Sequence, residues 1–283
     1  MQQLVDPQAP TPDHMTPEFV TIRSVKQELE HTFTLVMDPP GGRFDFAPGQ
    51  FTMHYAYGVG EVPISISGDP AASDELVLTI RRMGAVTNAL TALEPGDTVG
   101  VRGPYGQPWP ISAARGKDLI VVAGGIGLAP LRPVLYEVLA DRDAYERVVL
   151  LYGARSPSEF LFLEEIHEWR SRLDMTVMVT VDYGDPGWHG SVGVVTKLIT
   201  RAPFDPDNAV AFVCGPEIMM RFCARELGNM GVPDDRSYVT LERNMQCAIA
   251  QCGHCQYGSE LLCRDGAVYR YDRVARLLTL REV

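Results

Sequence analysis

Cysteine is scarce and one-sided: six occur in 283 residues, and none precedes Cys214. A disulfide framework spreads cysteines through a small secreted domain, so that class is excluded. No stretch approaches the ~18 apolar residues of a membrane span. Met1–Pro17 is polar and proline-rich, without the basic start and apolar run of a signal peptide. Positive charge is also short, with 25 Lys+Arg against 36 Asp+Glu and a formal net charge of −11. That balance argues against a nucleic-acid partner. The expectation is a cytoplasmic protein kept soluble by an acidic surface. There are no internal repeats.

What is present falls into segments. At this length two domains are expected, with room for a small third module. From Glu18 to Pro110, short β-like runs (Phe19–Val25, Thr32–Met37, Phe51–Ala56, Ile64–Ser67, Leu76–Arg82, Thr98–Arg102) alternate with Pro- and Gly-containing turns. Such punctuation predicts an antiparallel barrel or sandwich. A short helix is expected at Val86–Leu93. Near Lys117 the character changes. Asp118–Ala123 is an apolar run suited to a buried parallel strand. Helices then alternate with strands: Leu131–Arg142, Arg147–Tyr152, Ser158–Ser171, Met175–Val181, Val194–Thr200, Ala209–Cys214 and Glu217–Met230. The alternation predicts a doubly wound parallel sheet and is expected to stop at Pro233. The expected division is an arm over 1–17, a β-barrel over 18–112, an α/β domain over 113–232 and a cysteine-rich module over 233–283. The arm is read as poorly ordered, or as ordered by a partner.

The tail carries Cys247, Cys252 and Cys255, followed by Cys263. C-x4-C-x2-C…C is the plant-type spacing for a 2Fe-2S cluster. One compact loop then aims three thiolates at two irons, and Gly253 lets the backbone pass closely between ligands. Zinc is the rival, but its four-thiolate sites usually come as two separated pairs. His254 is read as solvent-facing, because four cysteines complete the set. Cys223 has the spacing of a buried helical residue.

Gly124-Gly125-Ile126-Gly127-Leu128-Ala129-Pro130 follows the first parallel strand. Glycines and a helix start can cradle a pyrophosphate, and a turn needed only for packing would carry glycines too. Pro130 suits a first helical turn. Ligands of such sheets bind beyond the strand C-termini. Three more strand ends therefore join the candidate nucleotide site: Gly153-Ala154-Arg155-Ser156, Asp182, and Cys214-Gly215-Pro216-Glu217. Arg155 stands where a 2′-phosphate could be paired, or is a surface arginine closing a loop.

Barrel, Gly-Gly-Ile-Gly-Leu-Ala-Pro domain and Cys-Gly-Pro in this order resemble the ferredoxin–NADP reductase superfamily. The phrases Gly58–Ser67 and Leu241–Cys255 narrow the likeness. They resemble the electron-transfer subunit of dihydroorotate dehydrogenase and, more closely, the diaphorase (gamma) subunit of cytosolic nickel–iron hydrogenases, also called sulfhydrogenases. The resemblance implies FAD in the barrel, with Pro63-Ile64-Ser65-Ile66 along the isoalloxazine. Many relatives have an arginine where Val62 stands here, which leaves Arg81 or Arg82 as the pyrophosphate contact. Ile80, Arg81, Gly84, Val86 and Thr87 complete the implied flavin site, with the Thr87 hydroxyl either donating to the pyrophosphate or capping the helix. Cys214 is implied to lie near the nicotinamide and to place it without forming a covalent bond.

The resemblance further implies that NAD(P)H gives a hydride to the flavin and that single electrons then pass through the cluster to a partner's iron–sulfur centre. The protein positions its cofactors and supplies no acid or base. No nickel site is left over, so hydrogenase small and large subunits and an iron–sulfur subunit would be separate partners. NADP is favoured over NAD. Two other readings stay open: an electron-transfer subunit of dihydroorotate dehydrogenase, and a non-enzymatic cluster carrier.

Overall fold

The computed structural model describes residues 14–280. Residues 1–13 of the expected arm lie outside them. The first half is six antiparallel strands: β1 (Glu18–Leu29), β2 (Thr32–Met37), β3 (Phe51–Ala56), β4 (Gly60–Ser65), β5 (Leu76–Arg81) and, after the short helix α1 (Ala85–Leu90), β6 (Thr98–Tyr105). They lie in the order β4-β3-β6-β1-β2-β5. The two edge strands meet through an antiparallel bridge from Ile66 to Leu78, so the sheet curls shut. Alternate residues of each strand face inward, and Ile22, Leu35, Met37, Leu78, Ile80 and Val101 fill the interior.

The second half is a parallel sheet: β7 (Asp118–Gly124), α2 (Arg132–Ala140), β8 (Val148–Ala154), α3 (Leu163–Ser171), β9 (Thr176–Val181), β10 (Ser191–Val192), α4 (Thr196–Ile199), β11 (Ala209–Cys214), α5 (Glu217–Asn229) and β12 (Ser237–Thr240). The cysteine segment follows, with the two-stranded β13 (Gln256–Tyr257) and β14 (Glu260–Leu261), α6 (Leu262–Asp265), β15 (Val268–Arg270) and α7 (Tyr271–Val274). Sheet order is β10-β9-β8-β7-β11-β12-β15. The sequence reading ends the alternation at Pro233, whereas the sheet continues. β12 runs parallel to β11, and β15 closes the edge antiparallel to β12. Both strands are too short to show a period, and only their register with neighbours defines them. The helix expected from Ser158 begins at Leu163, because Phe162 takes a left-handed φ of 55°. The helix expected from Leu131 begins at Arg132, after a tighter 3-10 run over Gly125–Leu131.

Specific side-chain contacts fix the halves together. Trp109 stacks on Phe212 of β11 with ring centroids 4.9 Å apart, and its indole N–H donates to the Pro130 carbonyl at 3.3 Å. Arg132 of α2 forms a bidentate pair with Glu165 of α3 and donates to the Ser67 carbonyl of the barrel. Phe51 and Met53 of β3 turn outward into the cluster that holds Leu262, Cys255 and Cys263.

The buried His54 of β3 is bonded to the Thr52 hydroxyl, and burial lowers its pKa from 6.5 to about 3. Folding therefore favours the neutral ring. This stability is present above pH 6.5 and is lost as pH falls from there toward 3. At about 1.4 kcal/mol per unit, roughly 2–3 kcal/mol should vanish between pH 7 and pH 4. Urea denaturation at both pH values should show that loss in the parent protein and a smaller one in His54→Gln.

Candidate functional site

The strand C-termini converge on one edge. Gly124 of β7 is level with Gly153 of β8, Ala154 with Val181 of β9, and Cys214 of β11 with Ala123. The loops after these strands are the four that the sequence singled out. Their glycines do different work. A Cβ on Gly127 would stand 2.3 Å from the Cys214 carbonyl oxygen, and one on Gly124 would stand 2.2 Å from Met219 Sδ. These two glycines let the β7 turn press against the Cys214–Pro216 loop, which is a packing role. Gly125, at φ 54°, faces open space. Its carbonyl accepts from the Tyr152 hydroxyl at 3.1 Å, and the same hydroxyl accepts from the Leu161 amide at 3.0 Å. Tyr152 thereby ties the glycine turn to the loop after β8. Ile126 and Pro130 are half-buried beside it, while Leu128 and Ala129 are buried.

Beyond β8, Arg155 is exposed. Its carbonyl accepts from the Tyr183 amide, and the Ala154 carbonyl accepts from the Asp182 amide. Arg155 and Asp182 thus sit on adjacent strand ends. Ser156 bonds to Ser158 at 3.0 Å. Pro216 and Glu217 are exposed at the start of α5. Cys214 is 3% exposed, and the Thr240 hydroxyl donates to its sulfur at 3.0 Å. Burial pushes the thiol up to about 12, against that hydrogen bond. At neutral pH it is a thiol, unsuited to act as nucleophile or base.

In the barrel, all of β4 is half-buried, including Pro63, Ile64 and Ser65. Ile66 and Ile80 are instead buried in the barrel core, so only their backbone borders that edge. The turn at Gly84 lies beside the start of β4, since a Cβ on Gly60 would stand 3.2 Å from Val86 Cγ2. The Thr87 hydroxyl accepts from the Met83 and Gly84 amides and donates to the Gly84 carbonyl. In this structure it is a helix cap, with its hydrogen committed. The two arginine candidates separate. Arg82 donates to Thr91 and lies over the Phe33 ring at 4.2 Å, whereas Arg81 is exposed.

The cysteine loop wraps its own sulfurs. Ala248 and Ala250 adopt left-handed φ values of 59° and 60°, which turn successive amides inward. Cys247 Sγ accepts from the amides of Ile249, Gln251 and Cys252 at 3.3–3.5 Å. Cys263 Sγ accepts from Ala250, and Cys252 Sγ from His254. Burial pushes the Cys247 thiol up, but the Cys252, Ile249 and Gln251 amides outweigh it and hold it at about 7. Among the described residues no three His, Cys, Asp or Glu side chains gather around one ion position. Amides of the loop converge on the sulfurs of Cys247, Cys252 and Cys263, the hydrogen bonding that the thiolates of an iron–sulfur centre take. In that respect these residues fit a 2Fe-2S group.

Sequence reasoning missed the residue that joins this loop to the barrel. Arg102 of β6 has a 3% exposed side chain. Its Nε and Nη2 grip both carboxylate oxygens of Glu61 on β4, at 2.8 and 2.6 Å. Nη2 also donates to the Gln246 carbonyl at 2.9 Å, and Nη1 to the carbonyls of Cys247 and His14 at 3.0 and 2.9 Å. All five guanidinium N–H groups are thereby used. An arginine in an otherwise apolar strand, Val99-Gly-Val-Arg102, was the available signal.

A closed antiparallel sheet, a parallel sheet with converging strand ends and a four-cysteine loop define a reductase of the ferredoxin–NADP reductase fold. Residues 121–225 match the oxidoreductase NAD-binding domain family. The chain is 38% identical to the sulfhydrogenase 2 gamma subunit of Pyrococcus furiosus, over 89% of this chain and 88% of that one. It is 34% identical to a probable dihydroorotate dehydrogenase B electron transfer subunit of the same organism, over 80% and 81%. In structure it is similar to an NADH-dependent reduced ferredoxin–NADP oxidoreductase, with a TM-score of 0.72 and 27% identity over 93% and 94% of the two chains. The chain belongs to the family of sulfhydrogenase gamma and dihydroorotate dehydrogenase electron-transfer subunits.

Two outcomes follow from the packing. Gly127→Ala should cost about 1–3 kcal/mol through overpacking, more than the ~1 kcal/mol of left-handed strain in Gly125→Ala, as read by urea denaturation. Iodoacetamide at pH 8 should leave Cys214 unlabelled in the native protein and label it after unfolding, as read by peptide mass spectrometry.

Proposed function

We propose that this chain is the NADP-reducing, electron-transferring subunit of a cytoplasmic multi-subunit hydrogenase, with FAD in the barrel and a 2Fe-2S cluster on Cys247, Cys252, Cys255 and Cys263. The domain division proposed is barrel 18–112, nucleotide domain 113–232 and cluster module 233–283, the last sharing its sheet with the second. One observation carries the reading. The root of the cysteine loop, at Gln246 and Cys247, is tied to Glu61 of β4, the strand that matches the flavin-binding phrase, through one buried arginine of β6. Two electron carriers placed there would be neighbours. Bound FAD and the cluster would supply hydride acceptance and single-electron relay.

The chain's own residues supply the rest. The half-buried edge of Pro63, Ile64 and Ser65 would lie along the flavin ring. The first amides of α1, at Ala85 and Val86, have no partner within the helix and would face the pyrophosphate with Arg81. The Gly125 turn would approach the pyrophosphate of the nucleotide. Arg155 would pair a 2′-phosphate, and a neutral Cys214 would bound the nicotinamide without entering the chemistry. A nickel–iron hydrogenase and its iron–sulfur subunit are the proposed partners. The dihydroorotate dehydrogenase relatives favour a second reading, in which the partner is a flavoprotein oxidising dihydroorotate. Among the described residues no helix is long and apolar enough to cross a membrane.

Cofactor analysis of the purified complex tests this reading. One FAD, two irons and two acid-labile sulfides per chain are expected, with nickel in the copurifying partner. An FMN partner without nickel would select the second reading. A protein without flavin would overturn both. In the same preparation, Arg155→Ala should reduce NADPH use roughly tenfold or more while sparing NADH, the loss of one charged pair to phosphate. Equal loss of both would exclude Arg155 as the reader of the 2′-phosphate.

A further inference from the structure

Arg102 does more than close a joint. Its guanidinium lies between two partners of opposite character. On one side is the Glu61 carboxylate of β4, gripped through both oxygens. On the other are the Gln246 and Cys247 carbonyls, at the root of the first cysteine. The charges of Arg102 and Glu61 cancel at a distance but not locally. The positive end of the pair touches the cysteine loop through the Gln246 and Cys247 carbonyls, and the negative end is carried by β4, the strand proposed to carry the flavin. With the arginine side chain 3% exposed and the glutamate 21% exposed, solvent screening between the ends is weak. A guanidinium stays charged at every working pH, so the polarity of the pair is fixed.

We propose that Arg102 is a positioning residue that seats the Cys247 loop on β4 and, with Glu61, biases a shared electron toward the cysteine side. This rests on the proposed flavin and cluster. An iron–sulfur centre gains one negative charge on reduction, and its potential follows the surrounding charge and hydrogen bonding. The positive end beside Cys247 favours that added charge, and the negative end on β4 disfavours it on the flavin side. The position of His14 fits the same role. Its carbonyl takes one Arg102 donor and the Tyr105 hydroxyl, which fastens the chain before β1 over the joint.

The pair gives a test that loosening alone cannot mimic. Midpoint potentials of cluster and flavin are measured in the holoprotein by EPR- and absorbance-monitored titration. Arg102→Gln should move the flavin–cluster equilibrium about tenfold toward the flavin, which is 59 mV for one electron. Glu61→Gln, which removes the negative charge from the flavin side, should move it the same way by raising the flavin potential, and the double variant should move it at least as far as either single variant. Arg102→Lys, which keeps the charge and loses the fork, should recover most of the potential. Shifts of opposite sign in the two single variants, shifts of less than twofold in both, or an Arg102→Lys shift as large as that of Arg102→Gln would overturn the proposal. If Arg102→Gln does not fold, the sign of the Glu61→Gln shift decides. Hydrogen exchange separates this from failure of the cofactor reading. If the protein holds no iron, amides 244–250 should still exchange at least tenfold faster in Arg102→Gln than in the parent, with the β1–β2 amides unchanged. Unchanged exchange at 244–250 would remove the seating role as well.

Discussion

A buried guanidinium with five N–H groups must find five acceptors, and Arg102 finds them on three separate stretches of chain. Glu61 brings in the barrel edge, His14 the segment before β1, and Gln246 with Cys247 the root of the cysteine loop. Few other groups could fill this place. A lysine has three donors and no planar fork. Removing one partner of such a pair leaves an uncompensated buried charge, at a cost of about 3–5 kcal/mol. Among its described residues the cysteine segment has little regular structure of its own, with two-stranded β13–β14, the three-residue β15 and the single-turn helices α6 and α7. It is therefore positioned from outside, by Arg102 and by the apolar contacts of Phe51 and Met53.

The same economy governs the nucleotide half. Gly124 and Gly127 have no Cβ, so the ends of β7 and β11 approach backbone to backbone. Tyr152 then anchors the Gly125 carbonyl from the neighbouring strand. Arg132 reaches from α2 to the Ser67 carbonyl, and Trp109 reaches from the barrel side to Phe212. The two halves are held by a few specific contacts on either side of the strand ends. β4 with the α1 turn, and the loops after β7, β8 and β11, are the surfaces on which the proposed electron path is built.

Much of this was legible in the sequence because local chemistry carries it. Apolar runs alternating with amphipathic ones announce a parallel sheet, and Pro–Gly punctuation announces the antiparallel one. Four cysteines at fixed spacing announce a sulfur-lined loop. The rest depends on what lies across space. Thr87 is the same residue whether it caps a helix or meets a phosphate, and only its three bonds to Met83 and Gly84 separate the roles. Arg81 and Arg82 are adjacent in sequence, yet Thr91 and Phe33 occupy one and leave the other facing out. Arg102 lies 145 residues from its Cys247 partner, beyond any local pattern. β12 and β15 are too short to show a period and exist through their pairing with β11 and with each other.

Nucleotide, flavin strand and cysteine loop are proposed to form one electron path. Low-temperature EPR of the anaerobic complex, frozen after addition of NADPH alone, tests it most directly. A reduced 2Fe-2S signal accompanying loss of the oxidised-flavin absorbance is the predicted result. A bleached flavin with no cluster signal, in protein shown by dithionite to hold a reducible cluster, would contradict it.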